Sequence, residues 1–222
     1  MDLHKIKLFH DLDSAEQDLI FGMARKCTYP KGATVFTGGQ KEDGIYIIYN
    51  GRVKVTMLNP DGREKTLAVL SEGELIGEVT LLGDELRTAG IETLENTTFL
   101  IFSRRDFISL MDSIPILAFR VIEILSKRLR RANRHIEELT FLNARNRVIC
   151  ALVYLSEEHG LKVGKEILIF WPITHAELAK LAGVTRETVT KVFSELQSKN
   201  LISTTKGRVR LMNPSGLHQE LL

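Results

Sequence analysis

The stretch Ala118-Phe119-Arg120-Val121-Ile122-Glu123-Ile124-Leu125-Ser126-Lys127-Arg128-Leu129-Arg130-Arg131-Ala132-Asn133-Arg134-His135-Ile136-Glu137-Glu138-Leu139 decides how the rest of the chain is read. Ala118, Ile122, Leu125, Leu129, Ala132, Ile136 and Leu139 follow one another at spacings of 4, 3, 4, 3, 4 and 3. That is an apolar seam of 3.5-residue period on an unbroken helix-forming sequence. Charged residues, among them Arg120, Glu123, Lys127, Arg131 and Glu138, occupy the other faces, so one narrow stripe has to find a cover. At 1.5 Å per residue the stripe runs roughly 33 Å, longer than a small core can cover. A self-pairing dimerisation helix is therefore expected; the alternative is an amphipathic helix packed on its own chain.

Upstream of the seam the hydrophobic period changes. Residues 13–27 are expected as a short amphipathic helix capped by Asp13 or Ser14. Then come short β-rich runs at 34–36, 44–49, 53–57, 65–70 and 97–102. Turn signals part them: Pro30-Lys31-Gly32, Gly38-Gly39, Asn50-Gly51, Asn59-Pro60-Asp61-Gly62 and Gly73. This pattern favours a barrel or roll over a parallel sheet.

Between the last two runs lies the loop from Gly73 to Ala89. Gly77 permits close backbone approach, and Glu78 to Leu82 is long enough for one helical turn whose free N–H groups face an anion. Arg87 carries a guanidinium fork suited to phosphate, with the Thr88 hydroxyl beside it. Glu78 is out of place in a pure phosphate site but suits a ligand that also offers a hydroxyl. A phosphate with a ribose 2′-OH meets both demands, whereas a plain Glu78–Arg87 ion pair would explain the same residues without a ligand.

Downstream, Ser113-Ile114-Pro115 opens the long helix with proline in its first turn. Thr140 to Arg145 reads as a hinge, followed by a second amphipathic helix that Gly160 ends with a glycine C-cap, and by a strand at 167–171. Thr174-His175-Ala176-Glu177 is a capping box opening a helix through Leu181; Gly183 makes a turn and Thr185 caps a further helix to about Lys199. Ala179 is the small residue, and Leu178, Val184, Val189 and Val192 the core, of a helix-turn-helix. Val189, Val192, Phe193 and Leu196 form the buried stripe of its second helix; Arg186, Glu187, Thr190, Lys191 and Ser194 form the opposite face. Ile202–Thr205 and Arg208–Leu211, joined by Lys206-Gly207, read as a wing whose Lys206, Arg208 and Arg210 can reach phosphates.

Composition agrees with a globular protein: 44% hydrophobic and 26% charged, with no apolar run near the 18 or so residues that span a bilayer. Met1 to Lys5 lacks the layout of a signal peptide, so the expected compartment is the cytoplasm, with no membrane partner. Cys27 and Cys150 are expected as buried free thiols, and the six histidines show no ligand spacing, so no metal site is expected. Residues 1–144 carry a balance of −2 and residues 145–222 one of +4, which leans the C-terminal third toward nucleic acid. No nucleophile or acid/base pair stands out, so no catalytic residue is expected; a nucleotide hydrolase is the enzyme alternative.

The segment Asp43 to Val53, followed by Gly77-Glu78 and then Arg87-Thr88-Ala89, resembles the cyclic-nucleotide-binding domain and its phosphate-binding cassette over about residues 8–112. Roll, long helix and winged helix-turn-helix together resemble the cyclic-AMP receptor / fumarate-nitrate regulator (CRP/FNR) superfamily of bacterial transcription regulators. The resemblance implies an α+β chain: a sensor β-roll at 1–112, a coiled-coil dimerisation helix at 113–139 and a DNA-binding winged helix-turn-helix at 140–222. It makes Arg87 the cyclic-phosphate partner and Glu78 the ribose acceptor, with Gly77 and Val79 lining the pocket and Thr88 touching phosphate or base. The family's adenine-binding Thr-Ser pair falls here on Ala132 and Asn133; only Asn133 has a polar side chain to offer, so the implied effector is cyclic AMP, cyclic GMP or another nucleotide, with no cofactor held permanently.

Thr185-Arg186-Glu187-Thr188-Val189-Thr190-Lys191 is similar to the recognition helix of the cyclic-AMP receptor branch. Arg186, Glu187 and Lys191 are thereby the base readers of a TGTGA-like half-site, Lys191 standing where that branch usually has arginine. Thr174, His175, Thr185, Thr188, Lys206 and Arg208 become phosphate contacts. The implied partners are double-stranded DNA, a second copy of the chain and RNA polymerase. A constitutive regulator with a vestigial pocket is the alternative within the family.

Overall fold

The computed structural model describes residues 6–41, 44–81 and 86–221, so Asp43, Met1 to Lys5 and residues 82–85 of the cassette loop lie outside it. The described residues divide into two compact units between Arg130 and Arg131.

In the first unit, α1 (Ser14–Met23) carries the expected cap at Asp13, reinforced by a reciprocal bond with Glu16. The expected helix to residue 27 is corrected: α1 ends at Met23, and Arg25–Tyr29 is strand β1. The β-branched Thr28 and the aromatic Tyr29 pair there with the chain's last sensor strand. The other strands are β2 (Thr34–Phe36), β3 (Ile45–Asn50), β4 (Arg52–Leu58), β5 (Glu64–Ser71), β6 (Leu75–Ile76), β7 (Gly90–Thr93) and β8 (Thr97–Phe102). Two antiparallel sheets result, with orders β1-β8-β3-β6 and β2-β7-β4-β5. Helix α2 (Arg104–Ser113), capped by Ser103, was not foreseen.

Period-2 alternation sorts the side chains of β3 and β8 into two cores. Tyr46, Ile48, Phe99 and Ile101 pack with Phe36, Val53, Leu70 and Ile91 of the opposite sheet. Ile45, Ile47, Leu100 and Phe102 face Ile20, Phe107, Leu110, Leu117 and Val121 of the helices. Burial on both faces explains why β3 reads as a nearly unbroken apolar run rather than an alternating one.

Helix α3 (Ile116–Phe141) carries the seam and passes from the first unit into the second. Pro115 stands one residue ahead of it, its carbonyl accepting from the Ala118 N–H at 3.1 Å. The helix uses Leu117 and Val121 for the core, while Ile122, Leu129 and Ile136 are 58, 64 and 62% exposed on the single chain. Leu125, Ala132 and Leu139 are exposed too, and Ala118 is half-buried.

In the second unit, beyond the end of α3, the hinge shortens to Leu142-Asn143: Asn143 accepts from the Asn146 N–H and caps α4 (Ala144–His159). Gly160 ends α4 as expected, at a φ of −81°. A Cβ there would stand 2.3 Å from both the Ser156 carbonyl oxygen and Ile167 Cγ2, so space rather than torsion requires the glycine. Strands β9 (Gly160–Val163) and β10 (Glu166–Ile169) follow; the expected strand to Trp171 stops two residues sooner. Helices α5 (His175–Ala182) and α6 (Arg186–Ser198), strands β11 (Ile202–Thr205) and β12 (Arg208–Leu211) and helix α7 (Pro214–Gln219) complete it, with one sheet ordered β11-β12-β10-β9. Cys27 and Cys150 are free but half-buried rather than buried. Desolvation, with Glu138 adding to it, pushes the Cys150 thiol up to about 11.

Candidate functional site

In the first unit the cassette is assembled around Arg87. Its backbone is bracketed by the 39–40 turn, the N–H donating to the Gln40 carbonyl at 2.9 Å and the carbonyl accepting from Gly39 at 2.7 Å. The guanidinium lies over the Phe36 ring at 4.3 Å and near Tyr46 at 5.6 Å, and Nη2 donates to the Gly44 carbonyl. Only 4% of the residue is exposed, yet Nε and Nη1 have no hydrogen-bond partner among the described residues. A buried cation with two idle donors is costly unless an anion completes it, so the residues present fit a phosphate group.

Gly77 makes this possible. Its φ is +95°, and a Cβ would come within 2.4 Å of Arg87 Nη1 and 2.8 Å of the Gly44 carbonyl oxygen. The close approach foreseen for this glycine is thus the approach of Arg87 itself. After it, Glu78–Thr80 form a single 3-10 turn; the expected helical turn through Leu82 reaches outside the described residues.

Glu78 does not take Arg87 as its ion-pair partner. Its Oε1 lies 2.6 Å from Nη1 of Arg128, which also donates to the Leu75 carbonyl. Arg128 was invisible as a site residue, one cation among many on the wet faces of the seam helix. A carboxylate has about four acceptor positions, so this pairing leaves room for a ligand hydroxyl. Val79 and Thr88 are exposed beside the cassette. Ala132 and Asn133, both exposed, belong to the second unit.

In the second unit the helix-turn-helix has the expected caps. Thr174 Oγ1 accepts from the Glu177 N–H at 3.1 Å, and Glu177 Oε2 accepts from the Thr174 N–H at 2.7 Å. Gly183 turns the chain at φ +66°, and Thr185 accepts from the Thr188 N–H at 3.3 Å. Val189, Val192, Phe193 and Leu196 are buried, whereas Arg186, Glu187, Thr190, Lys191 and Ser194 are exposed. The Glu187 carboxyl is held below its ordinary range by the backbone N–H at the start of α6 and the Thr185 hydroxyl. It is an ionised acceptor at neutral pH, the state that suits a cytosine amino group.

His175 adds a contact that spacing did not reveal: Nδ1 is 2.9 Å from Thr190 Oγ1, and its ring packs on Phe193 at 4.7 Å between centroids. Lys206 and Gly207 both have positive φ, as a two-residue hairpin turn demands. Lys206 and Arg208 are exposed on this wing, and Arg210 pairs with Glu166 at 2.7 Å. Behind α6, Arg145 near the start of α4 binds Glu195 at 2.7 Å and also Glu220. Lys199 joins both acids, at 3.2 and 2.8 Å.

A buried cation that a phosphate would complete and a winged helix-turn-helix on one chain describe a sensor joined to a DNA reader. A family model described as a cyclic nucleotide-binding domain matches residues 26–113, and one described as a Crp-like helix-turn-helix domain matches residues 146–220. The chain is 34% identical over 212 residues to the cyclic AMP receptor protein of Thermus thermophilus, covering 96% of this chain and 95% of that one. It is 30% identical over 174 residues to a CRP-like cAMP-activated global transcriptional regulator of Mycobacterium tuberculosis, covering 78% of each. A solved structure of a CooA mutant from Carboxydothermus hydrogenoformans superposes with a TM-score of 0.81 at 23% identity, covering 98% of this chain and 96% of that one, a likeness of fold. The chain belongs to the CRP/FNR family of transcription regulators, with a nucleotide-binding domain and a helix-turn-helix for DNA. Among the described residues, no helix is long and apolar enough to cross a membrane, and no cluster of three or more metal-ligating side chains occurs.

Proposed function

We propose that this regulator works as a homodimer that binds cyclic AMP at Arg87 and reads a TGTGA-like palindrome with α6. The observation that carries the effector half is the buried Arg87 guanidinium, two of whose donors have no partner among the described residues. Phosphate oxygens satisfy Nε and Nη1, and Glu78, steadied by Arg128, accepts the ribose 2′-OH. Cyclic AMP is favoured over other nucleotides by the names of the two relatives, a cyclic AMP receptor and a cAMP-activated regulator. Val79 and Thr88 complete the rim.

The exposed seam of α3 supports the dimer, since six large or small apolar residues in heptad register are left uncovered on the single chain. A two-fold dimer places two copies of α6 about 34 Å apart, one turn of the duplex. Arg186 and Lys191 take guanines and Glu187 takes a cytosine amino group. Thr174, His175, Thr185, Thr188, Lys206 and Arg208 hold phosphates, and RNA polymerase is the downstream partner. Nucleotide acts by binding one setting of α3 and its Leu142-Asn143 break more tightly than the other, because only differential affinity shifts an equilibrium.

Fluorescence anisotropy on a labelled TGTGA palindrome, with and without saturating cyclic AMP, tests this. A ligand-dependent rise in affinity is expected. Equal, tight binding in both conditions would instead establish the constitutive alternative, and no binding by a confirmed dimer would overturn the half-site.

A further inference from the structure

We infer that Thr190 reads the 5-methyl group of a thymine, and that His175 is the positioning residue that sets Thr190 for this contact. The inference rests on the reading of α6 as the DNA-facing helix and assigns that helix a residue beyond Arg186, Glu187 and Lys191. Thr190 is exposed one helical turn beyond Arg186 and next to Lys191, on the same face as both. Its hydroxyl proton and one of its two lone pairs are committed to the protein. Oγ1 donates to the Arg186 carbonyl at 3.0 Å and accepts from His175 Nδ1 at 2.9 Å.

Two consequences follow from those bonds. The hydroxyl has little left to offer a base edge, and the side chain is fixed in one rotamer with the γ-methyl as its uncommitted part. His175 cannot swing away freely, because its ring lies against Phe193, itself buried in the helix-turn-helix core. A methyl held rigidly on the groove-facing side of a recognition helix has one apolar partner in the major groove, the thymine 5-methyl. The His175–Thr190 bond also requires the tautomer that carries hydrogen on Nδ1 if Thr190 donates to Arg186.

Uracil substitution isolates this contact, since it removes the methyl and leaves base pairing untouched. A specific duplex is first selected by the full-length dimer from a random pool, with cyclic AMP present, and each thymine is then replaced singly by deoxyuridine. One thymine per half-site is expected to cost the wild-type protein about fourfold in affinity, the factor for burying one methyl-sized group. Thr190→Ser, which keeps the hydroxyl, should bind thymine and uracil duplexes equally.

His175→Ala should shrink the thymine/uracil ratio, and His175→Asn, which returns a donor near the Nδ1 position, should restore it. A ratio unchanged in Thr190→Ser, or no sensitive thymine in the wild type, overturns the inference while leaving the DNA reader standing. A ratio unchanged in His175→Ala overturns the positioning role. Failure to select any specific duplex overturns the underlying reading of α6 instead.

Discussion

Arg87 stands in the space that a side chain on residue 77 would fill: a Cβ at Gly77 would lie 2.4 Å from Arg87 Nη1. The two positions are thus a single device, one residue giving up its side chain so that the other can bury a cation. Gly77→Ala meets both a strained φ of +95° and this clash. It is expected to destabilise the first unit by about 3 kcal/mol and to abolish the nucleotide response. Urea unfolding and a cyclic AMP titration check the two effects.

Arg87→Leu is expected to separate stability from sensing. It removes a buried cation with two donors that have no partner among the described residues, and keeps an apolar body against Phe36 and Tyr46. Replacing buried charge by packed apolar atoms is often stabilising by about 1 kcal/mol or more. Thermal melts without nucleotide should show a midpoint at or above that of the wild type, while DNA binding no longer responds to cyclic AMP. A sharp loss of stability would mean that Arg87 is satisfied in some other way.

The seam predicts assembly. A two-fold axis makes each substitution count twice, so Leu129→Ala should weaken the dimer by about 4 kcal/mol, roughly a thousandfold in Kd. Sedimentation equilibrium across a dilution series reads this directly. An unchanged dimer would shift the interface away from α3.

The acid range probes the cluster behind α6. Hydrogen bonding to Arg145, then to Lys199, outweighs desolvation and holds the Glu195 carboxyl at about 2, against an ordinary value of 4.5. A depressed carboxylate stabilises the fold fully above its unfolded value and loses that contribution as pH falls through the folded one. Glu195→Gln should therefore be less stable than wild type at pH 6, and the deficit should close between about pH 4.5 and pH 2. A deficit independent of pH would assign Glu195 a packing role only.

On the wing, Lys206→Ala should lower the salt slope of DNA binding by about one. Arg210→Ala should change it less, because Glu166 already pairs that guanidinium at 2.7 Å. Equal slopes for the two variants would place Arg210 on the DNA as well.

What the sequence disclosed followed from local physics. The α3 seam, the Thr174 and Thr185 caps, the Gly183 turn and the strands with continuous apolar runs are all written in adjacent residues. Strand β1 was missed because it sits at a sheet edge, where Arg25 and Lys26 are exposed and no alternation marks it. Strand β7 is four residues long and starts on a glycine, and α2 mixes Arg104, Arg105 and Asp106 with few apolar positions. Within the cassette, Gly77, Glu78 and Arg87 were legible from residue type. The partner of Glu78 was not, because Arg128 lies 50 positions further along and reaches it only through the tertiary fold. The His175–Thr190 bond was hidden for the same reason.

Strands β3 and β8 belong to both apolar cores of the first unit, each contributing alternate side chains to either side. No partly unfolded form can give up one core and keep these strands ordered at full strength, because half of their burial goes with it. Their central amides, those of Ile47 and Leu100 among them, should therefore exchange with deuterium only when the whole unit opens, and the slowest exchange in the first unit should report its global stability. The cassette is hung on this slowest-opening wall, since β3 supplies Tyr46 to the guanidinium shelf. A sensor whose ligand-gripping cation rests on the last part of its domain to melt can lose peripheral order without losing its capacity to grip.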